Sequence, residues 1–440
     1  MTAFDRFDPF ERRITDAIDE IAVARVPDYL DDILQLTARS SQRPRWSFPE
    51  RWFNVDIALT RPAFGRRVPL RSLLIVAILT ALLAAALALY VGSRHRVPLP
   101  FGPAANGQMA YVSGGDLYVR DTPTSLGHLL LGGAGEQNSP SYSPDGLHIS
   151  FVTTLTDGDH FMVAAADGTA VHEIALIPPS GNAQAAWAPD SQRIALIYEL
   201  NSHPTLFIAP IDGSPASVVD FGKLQPHDVS WNPRSSDVLL VRVDTASGLS
   251  ELYTVRADGS ARHAFGLATR TSFGTQYDLS GSTWAPDAMT IAYNAIPSRP
   301  GLPFDAIFRV HLVNPDGTND RAVSPPPNED IQEAWPQYSP DGKWLLVHRW
   351  TWRVDEPSLG AGWLAVMPAD GSAAARDIGP RWAGGQETGL IKGWSPDGTR
   401  VLVRSENTHQ VFSIDPITGS YESLAWTTEL PDWQRIAQPQ

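Results

Sequence analysis

The chain contains no cysteine, which excludes a disulfide framework, thiolate metal sites and a cysteine nucleophile. Lysine is nearly missing: of 34 basic residues only Lys223, Lys343 and Lys392 are lysines. None of them follows the glycines of a phosphate-binding P-loop, and we read the scarcity as coding bias. No Gly-x-Ser-x-Gly nucleophile elbow occurs and no α/β domain is expected after the repeats, which argues against a serine hydrolase of the usual α/β kind. A zinc-protease His-Glu-x-x-His is missing too, since His172-Glu173 lacks its second histidine. Turn formers are plentiful, with 37 prolines and 34 glycines among 440 residues. That favours a turn-rich β protein over a helical bundle. At 43% hydrophobic residues the chain can bury a sizeable core.

Positive charge is scarce and unevenly placed. Residues 1–38 carry nine acids against four arginines, and residues 39–71 carry eight arginines against two acids. Residues 97–440 carry 37 acids against 20 bases. So acidic a surface repels phosphate backbones, so no nucleic-acid partner is expected.

One long apolar run interrupts the chain. Ser72 to Ser93 is free of charge for 22 residues, and a helix of that length spans roughly 33 Å, enough for a bilayer core. A cleaved signal peptide is the rival reading, but about 70 residues precede the run. We therefore expect a transmembrane helix over 70–93. Arg51, Arg61, Arg66, Arg67 and Arg71 precede it and only Arg94 and Arg96 follow closely. The positive-inside rule then places residues 1–70 in the cytoplasm and the remainder outside, as a single-pass cell-membrane protein.

Residues 1–66 are expected to form a cytoplasmic helical segment with a basic, aromatic linker. Phe4, Phe7, Phe10, Ile14, Ile18 and Ile21 recur at helical spacing. Pro27 starts a second helix carrying Leu30, Ile33 and Leu34. Two short helices with one apolar face each make no stable core alone. A cytoplasmic protein bound at residues 1–38 is therefore a candidate partner. Trp46, Phe48, Trp52 and Phe53, mixed with arginines, suit a membrane interface or a partner groove.

Beyond a linker at 94–106, repetition dominates. Six segments share an aromatic residue, a small or polar residue, proline, a turn and an apolar strand, with Asp after the proline in all but one. They begin at Tyr142, Trp187, Trp231, Trp284, Tyr338 and Trp394, and their prolines lie 44 to 56 residues apart. The third departs, with Arg234 where the others carry Asp. A second turn closes each unit, at Asp167-Gly168 and its counterparts. Four antiparallel strands per period of this length mark a propeller blade. Residues 108–133 hold three strands without a first one, and Trp433 near the C-terminus has the aromatic of a first strand and nothing after it. Joining the two pairs both open edges. The expected fold is all-β: a seven-bladed β-propeller over 107–437, six-bladed if the composite blade fails to form.

These motifs resemble the WD40-like Pro-Asp propeller repeats of TolB and of the propeller domains of prolyl-oligopeptidase relatives. The resemblance covers roughly residues 107–437 and implies the fold. Propellers carry many functions, so it implies little about activity.

Candidate chemistry is sparse. Asp157-Gly-Asp159-His160 lacks the remaining ligands of a calcium loop and reads as a polar hairpin turn. The recurrent Asp145, Asp190, Asp287, Asp341 and Asp397 read as turn residues bonding local amides, and the motif aromatics as wedges between blades. No cofactor or metal is expected. Residues 348–363 read as a long insertion between two strands of the sixth blade, with Trp335 and Trp382 on flanking loops. Its Arg349, Trp350, Trp352 and Arg353, with Trp382, are the candidate binding residues, because Trp and Arg dominate interface hot spots. Pro-rich stretches near 296–304 and 325–334 read as rigid spacers.

The leading expectation is a non-catalytic, membrane-anchored extracytoplasmic propeller that binds protein, peptide or glycan at one face. A rival is a signalling regulator whose layout is similar to membrane anti-sigma factors, although it lacks the His/Cys zinc pattern common among them. A second rival is a hydrolase or lyase working in the propeller channel, for which no residue constellation is evident.

Overall fold

The computed structural model describes residues 75–83, 98 and 100–438, apart from 179–182, 201–202, 245–248, 267–268, 271–280, 296–307, 324–330, 353–358, 383–389 and 406. Contacts divide the chain into two units, Met1–Ser93 and Arg94–Gln440.

The first unit is described only over 75–83, a helix of nine residues. Its Ile75, Val76, Ile78, Leu79, Leu82 and Leu83 are 50 to 71% exposed. Among the described residues no helix is long and apolar enough to cross a membrane. The rest of the expected span over 70–93, and the expected helices and linker of 1–66, lie outside the described residues.

The second unit holds seven antiparallel sheets, which settles the blade number at seven rather than six. Blade 1 combines Asp432–Ile436 from the C-terminus with Ala105–Ser113, Asp116–Arg120 and His128–Leu131. Trp433 faces Met109 and Ile436 faces Ala105, so the two chain ends close the ring as the sequence pattern requires. The other six blades are continuous in sequence, at 136–177, 184–219, 225–264, 282–322, 331–382 and 390–423.

Six of the seven blades, all but the composite blade 1, are started by the same local device. In blade 2, Ser143 N–H donates to His148 O (2.9 Å) and Gly146 N–H to Ser143 O (2.8 Å). Asp145 Oδ1 accepts the Leu147 N–H at 2.9 Å and the Ser143 hydroxyl. Burial alone would raise the Asp145 pKa; hydrogen bonds from His148, Ser143 and Leu147 hold it below the ordinary carboxylate value. Asp190, Asp287, Asp341 and Asp397 accept the backbone N–H two residues on in the same way. Blade 4, which has Arg234 there, moves the acceptor to Asn232 Oδ1 (2.9 Å to Arg234 N). The motif carboxylates are thus turn-formers. The residue closing the turn has positive φ: Gly146, Gly342 and Gly398 do so freely, Ser191 and Ala288 at φ of 57° and 61°.

The aromatics are wedges. Trp187 Nε1 donates to Ser141 O (3.2 Å) and Ser150 Oγ (3.1 Å) of the preceding blade. Trp231 Nε1 donates to Ala186 O (2.9 Å) and Trp394 Nε1 to Gln337 O (3.2 Å). Trp284, at the seam between blades 4 and 5, differs: its buried Nε1 has no partner, and neither have the buried hydroxyls of Tyr142 and Tyr338. Seven hydrophobic clusters, one per seam, hold neighbouring blades together. The closing seam joins Met109 and Trp433 of blade 1 to Leu402, Val411 and Leu424. Each fully buried aliphatic side chain contributes roughly 1.5–3 kcal/mol relative to exposure.

Candidate functional site: the channel and its aromatic wall

The first strand of each of blades 2 to 7 ends at the motif aromatic, and the first strand of blade 1 carries Trp433 near its start, so seven aromatics converge on one cavity. With the neighbouring prolines they line a central cavity of about 580 Å³. Each blade contributes one ring to the wall, from Tyr142 in blade 2 around to Trp433 in blade 1. Pro144, Pro233, Pro286, Pro340 and Pro396 of the motif turns line it as well, together with Pro100 and Phe101 from the segment leading into blade 1.

Three charged residues reach the cavity: Asp228, Asp432 and Arg435. Asp432 Oδ2 accepts the Tyr142 N–H at 2.7 Å, tying blade 1 to blade 2. Asp228 Oδ2 accepts from Ser282 Oγ at 3.2 Å, tying blade 4 to blade 5. Arg435 Nη2 donates to Gly102 O. Burial lowers the Arg435 pKa to about 10, with the Asp432 charge acting in the opposite direction, so it stays a cation at neutral pH. Burial raises the pKa of Tyr142 and of Tyr338, leaving neutral phenols. Each charged group therefore serves in holding blades or the entering segment. The wall presents proline edges and the rims of the motif rings, of which Tyr142, Trp187, Trp231, Trp284 and Trp433 are 3 to 8% exposed.

The candidate binding residues of the sixth blade occupy a different position from the one expected. His348 to Trp352 continue the strand Trp344–Trp352, which pairs with Leu359–Pro368, so most of the expected insertion is strand, and 353–358 lie outside the described residues. Arg349 is 3% exposed and donates through Nε (2.9 Å) and Nη2 (2.6 Å) to Glu333 Oε1. Its Nη1 donates to Asp377 Oδ1 at 3.0 Å. Burial raises the Glu333 pKa and the Arg349 charge opposes that rise. Trp350 is buried among Phe308, Trp335 and His348, with ring centroids 5.4 to 5.9 Å away. Trp382 is buried in the seam between blades 6 and 7. Arg349, Trp350 and Trp382 are therefore interior residues: the first two lie on the buried strand Trp344–Trp352, and Trp382 ends the outer strand Arg376–Trp382 with its ring in the seam. Trp352 lies at the end of the same strand, and Arg353 lies outside the described residues. Trp335 sits not on a loop but in the bulged first strand Ile331–Tyr338, at φ 53°. Residues 331–334, expected as part of a spacer, belong to that strand as well.

The hairpin at 157–160 is polar as expected. His160 bridges Glu173 (2.7 Å) and Asp157 (3.1 Å), and the hydrogen bond to Glu173 leads the rise in its pKa. Among the described residues no group of three or more acidic or histidine side chains is placed to hold a metal ion.

No family model matches the chain, and no curated protein matches it. Solved structures do. A prolyl endopeptidase is 15% identical, with a TM-score of 0.51 over 74% of this chain and 50% of its own. A puromycin hydrolase is 14% identical, with a TM-score of 0.50 over 80% of this chain and 56% of its own. The chain thus spans about half the length of those two proteins. TolB from Acinetobacter baumannii is 14% identical, with a TM-score of 0.47 over 74% of this chain and 82% of its own. At such identities the likeness extends to the fold, a β-propeller.

Proposed function

We propose that this chain is a non-catalytic binding propeller, held at a membrane by residues 70–93, that takes an extended segment of a partner protein into its channel. The observation that carries the reading is the wall: an aromatic ring from every blade, framed by prolines around about 580 Å³, with its charged side chains engaged structurally. Apolar, aromatic-lined concavities with a few placed polar groups are the usual form of a binding site. The apolar run and the arginine asymmetry support an anchor with residues 1–70 in the cytoplasm and the propeller outside. Residues 1–38 then remain available to a cytoplasmic protein.

Site-specific photocrosslinking tests the reading. A photoreactive residue at Thr283, which lines the cavity, should capture a discrete partner in intact cells. The same residue at Thr169, in an outer turn of blade 2, should not. Equal labelling from both positions, or turnover by the purified full chain in a hydrolase and lyase screen, would overturn it. Protease protection of residues 1–70 in sealed inside-out vesicles would contradict the orientation.

A further inference from the structure

Part of the cavity wall is supplied by the segment that leads into blade 1. Residues 100–104 form a strap: Pro100 and Phe101 line the same cavity as the ring of motif prolines. Pro98, just before, is buried. Two hydrogen bonds fasten the strap. Arg435 donates to Gly102 O, and Ala104 N–H donates to Pro396 O at 2.9 Å. Just beyond, Asn106 Oδ1 accepts the Asp397 N–H at 3.1 Å, so the turn of blade 7 is tied in as well.

The composition of this strap is specific. Residues 98–104 contain three prolines and one phenylalanine. Proline carries no N–H, so such a segment offers carbonyl acceptors and apolar edges and needs few donors satisfied. The mouth supplies the complement: a guanidinium donor, proline faces and aromatic rings. Proline-rich segments dock into aromatic-lined grooves in this way because their extended form is largely preset and loses little entropy on binding. Phe101 and Gly102 are only half-buried, as expected of an occupant laid over a cavity rather than built into a core.

We propose that the mouth of the channel is a recognition site for extended peptides bearing proline and an aromatic residue, and that the chain's own strap holds it closed until such a peptide displaces it. This rests on the reading of the channel as the binding site. It adds the chemistry of the ligand and a consequence for the tether. The strap follows the apolar run by only a few residues, so its release lengthens the link between that run and blade 1.

A fluorescent peptide with the sequence of residues 97–104, VPLPFGPA, provides the test. It is titrated into the full-length chain and into its Phe101→Ala variant, with VPLPAGPA as the control peptide. A strap closed about nine-tenths of the time lowers apparent affinity about tenfold, so the variant should bind the peptide about tenfold more tightly than the parent chain. Saturating peptide should also speed hydrogen exchange at the Ala104 amide of the parent chain. Equal affinity for parent and variant, binding to neither, or tight binding of the control peptide would overturn the proposal. Any of these, found alongside a specific Thr283 crosslink to a partner, would remove the strap's role and leave the channel reading standing.

Discussion

The seam between blades 2 and 3 and the seam between blades 5 and 6 are built on one frame and filled differently. The former is apolar: Phe161 and Val163 meet Trp187, Ile194 and Leu196, and the Trp187 indole N–H is satisfied twice. The latter has a comparable apolar layer, with Val310 and Leu312 against Leu345 and Val347. One step further along the strand its character changes. Where blade 3 has Ile197 and Tyr198, blade 6 has His348 and Arg349. His348 is fully buried with both ring nitrogens unpartnered, stacked against Trp335 and Trp350. Arg349 is buried against Glu333. The lesson is that turns and wedges suffice to close a blade, so a single seam can hold polar groups that an isolated small core could not. The condition is that charges are paired, since an unpaired buried charge costs far more than a lost apolar contact.

Breaking the pair should have the largest effect. Arg349→Ala strands the Glu333 carboxylate and should cost about 3–5 kcal/mol in urea unfolding. Glu333→Leu combined with Arg349→Met should recover most of that loss. A cost below about 1 kcal/mol for the single variant would show that the pair is not buried in solution.

Acid should distinguish the two seams next. Burial lowers the His348 pKa to about 3, whereas an unfolded imidazole titrates near 6.5. Between those values the unfolded chain binds a proton that the folded chain does not, so stability is lost as pH falls below about 6.5. The loss should reach about 2 kcal/mol at pH 5. Glu333 acts in the opposite sense: its raised pKa gives the folded chain the extra proton just above the ordinary carboxylate value. The comparison of parent with His348→Phe isolates the histidine. The variant should lack the parent's stability loss between pH 7 and pH 5, while Ile197→Val in blade 3 should keep it.

A smaller contrast concerns the wedges. Trp187→Phe removes an indole donor with two acceptors, whereas Trp284→Phe removes one with none. The first should cost about 1–2 kcal/mol more than the second by thermal unfolding. Smallest of all, Ala288→Gly relieves a positive φ of 61° and should stabilise by up to about 1 kcal/mol. Gly146→Ala at the matching turn should destabilise by more than that gain, about 1–3 kcal/mol, because its Cβ would lie 2.1 Å from the backbone oxygen of Arg435 in the closing strand.

Much of this was readable before any coordinates. The turn carboxylates, the wedge aromatics and the pairing of Trp433 with the Met109 strand all follow from local rules repeated in register. The misplacement of Arg349, Trp350 and Trp382 has an equally physical cause. A run such as HRWTW reads as an exposed loop if each residue is judged singly. Its burial depends on Glu333, 16 residues away across a strand pair, and on Phe308 and Trp335. The segment VPLPFGP is a second case: by composition it is a linker, and its place in the fold depends on Arg435, more than 300 residues later, which donates to Gly102.

Sequence alone determined the blade and its repetition, because φ limits at proline and glycine and hydrogen bonds within a turn act over a few residues. It pointed to the closure too, from a blade lacking a first strand at one end and a lone first-strand aromatic at the other, and the pairing of Asp432–Ile436 with Ala105–Ser113 then settled seven blades over six. Tertiary structure decided what the ring encloses: which arginine is buried, which histidine is left unpartnered, and which segment joins the cavity wall. Those outcomes depend on groups brought together from opposite ends of the chain, and burial and pairing energies are set only once that assembly exists.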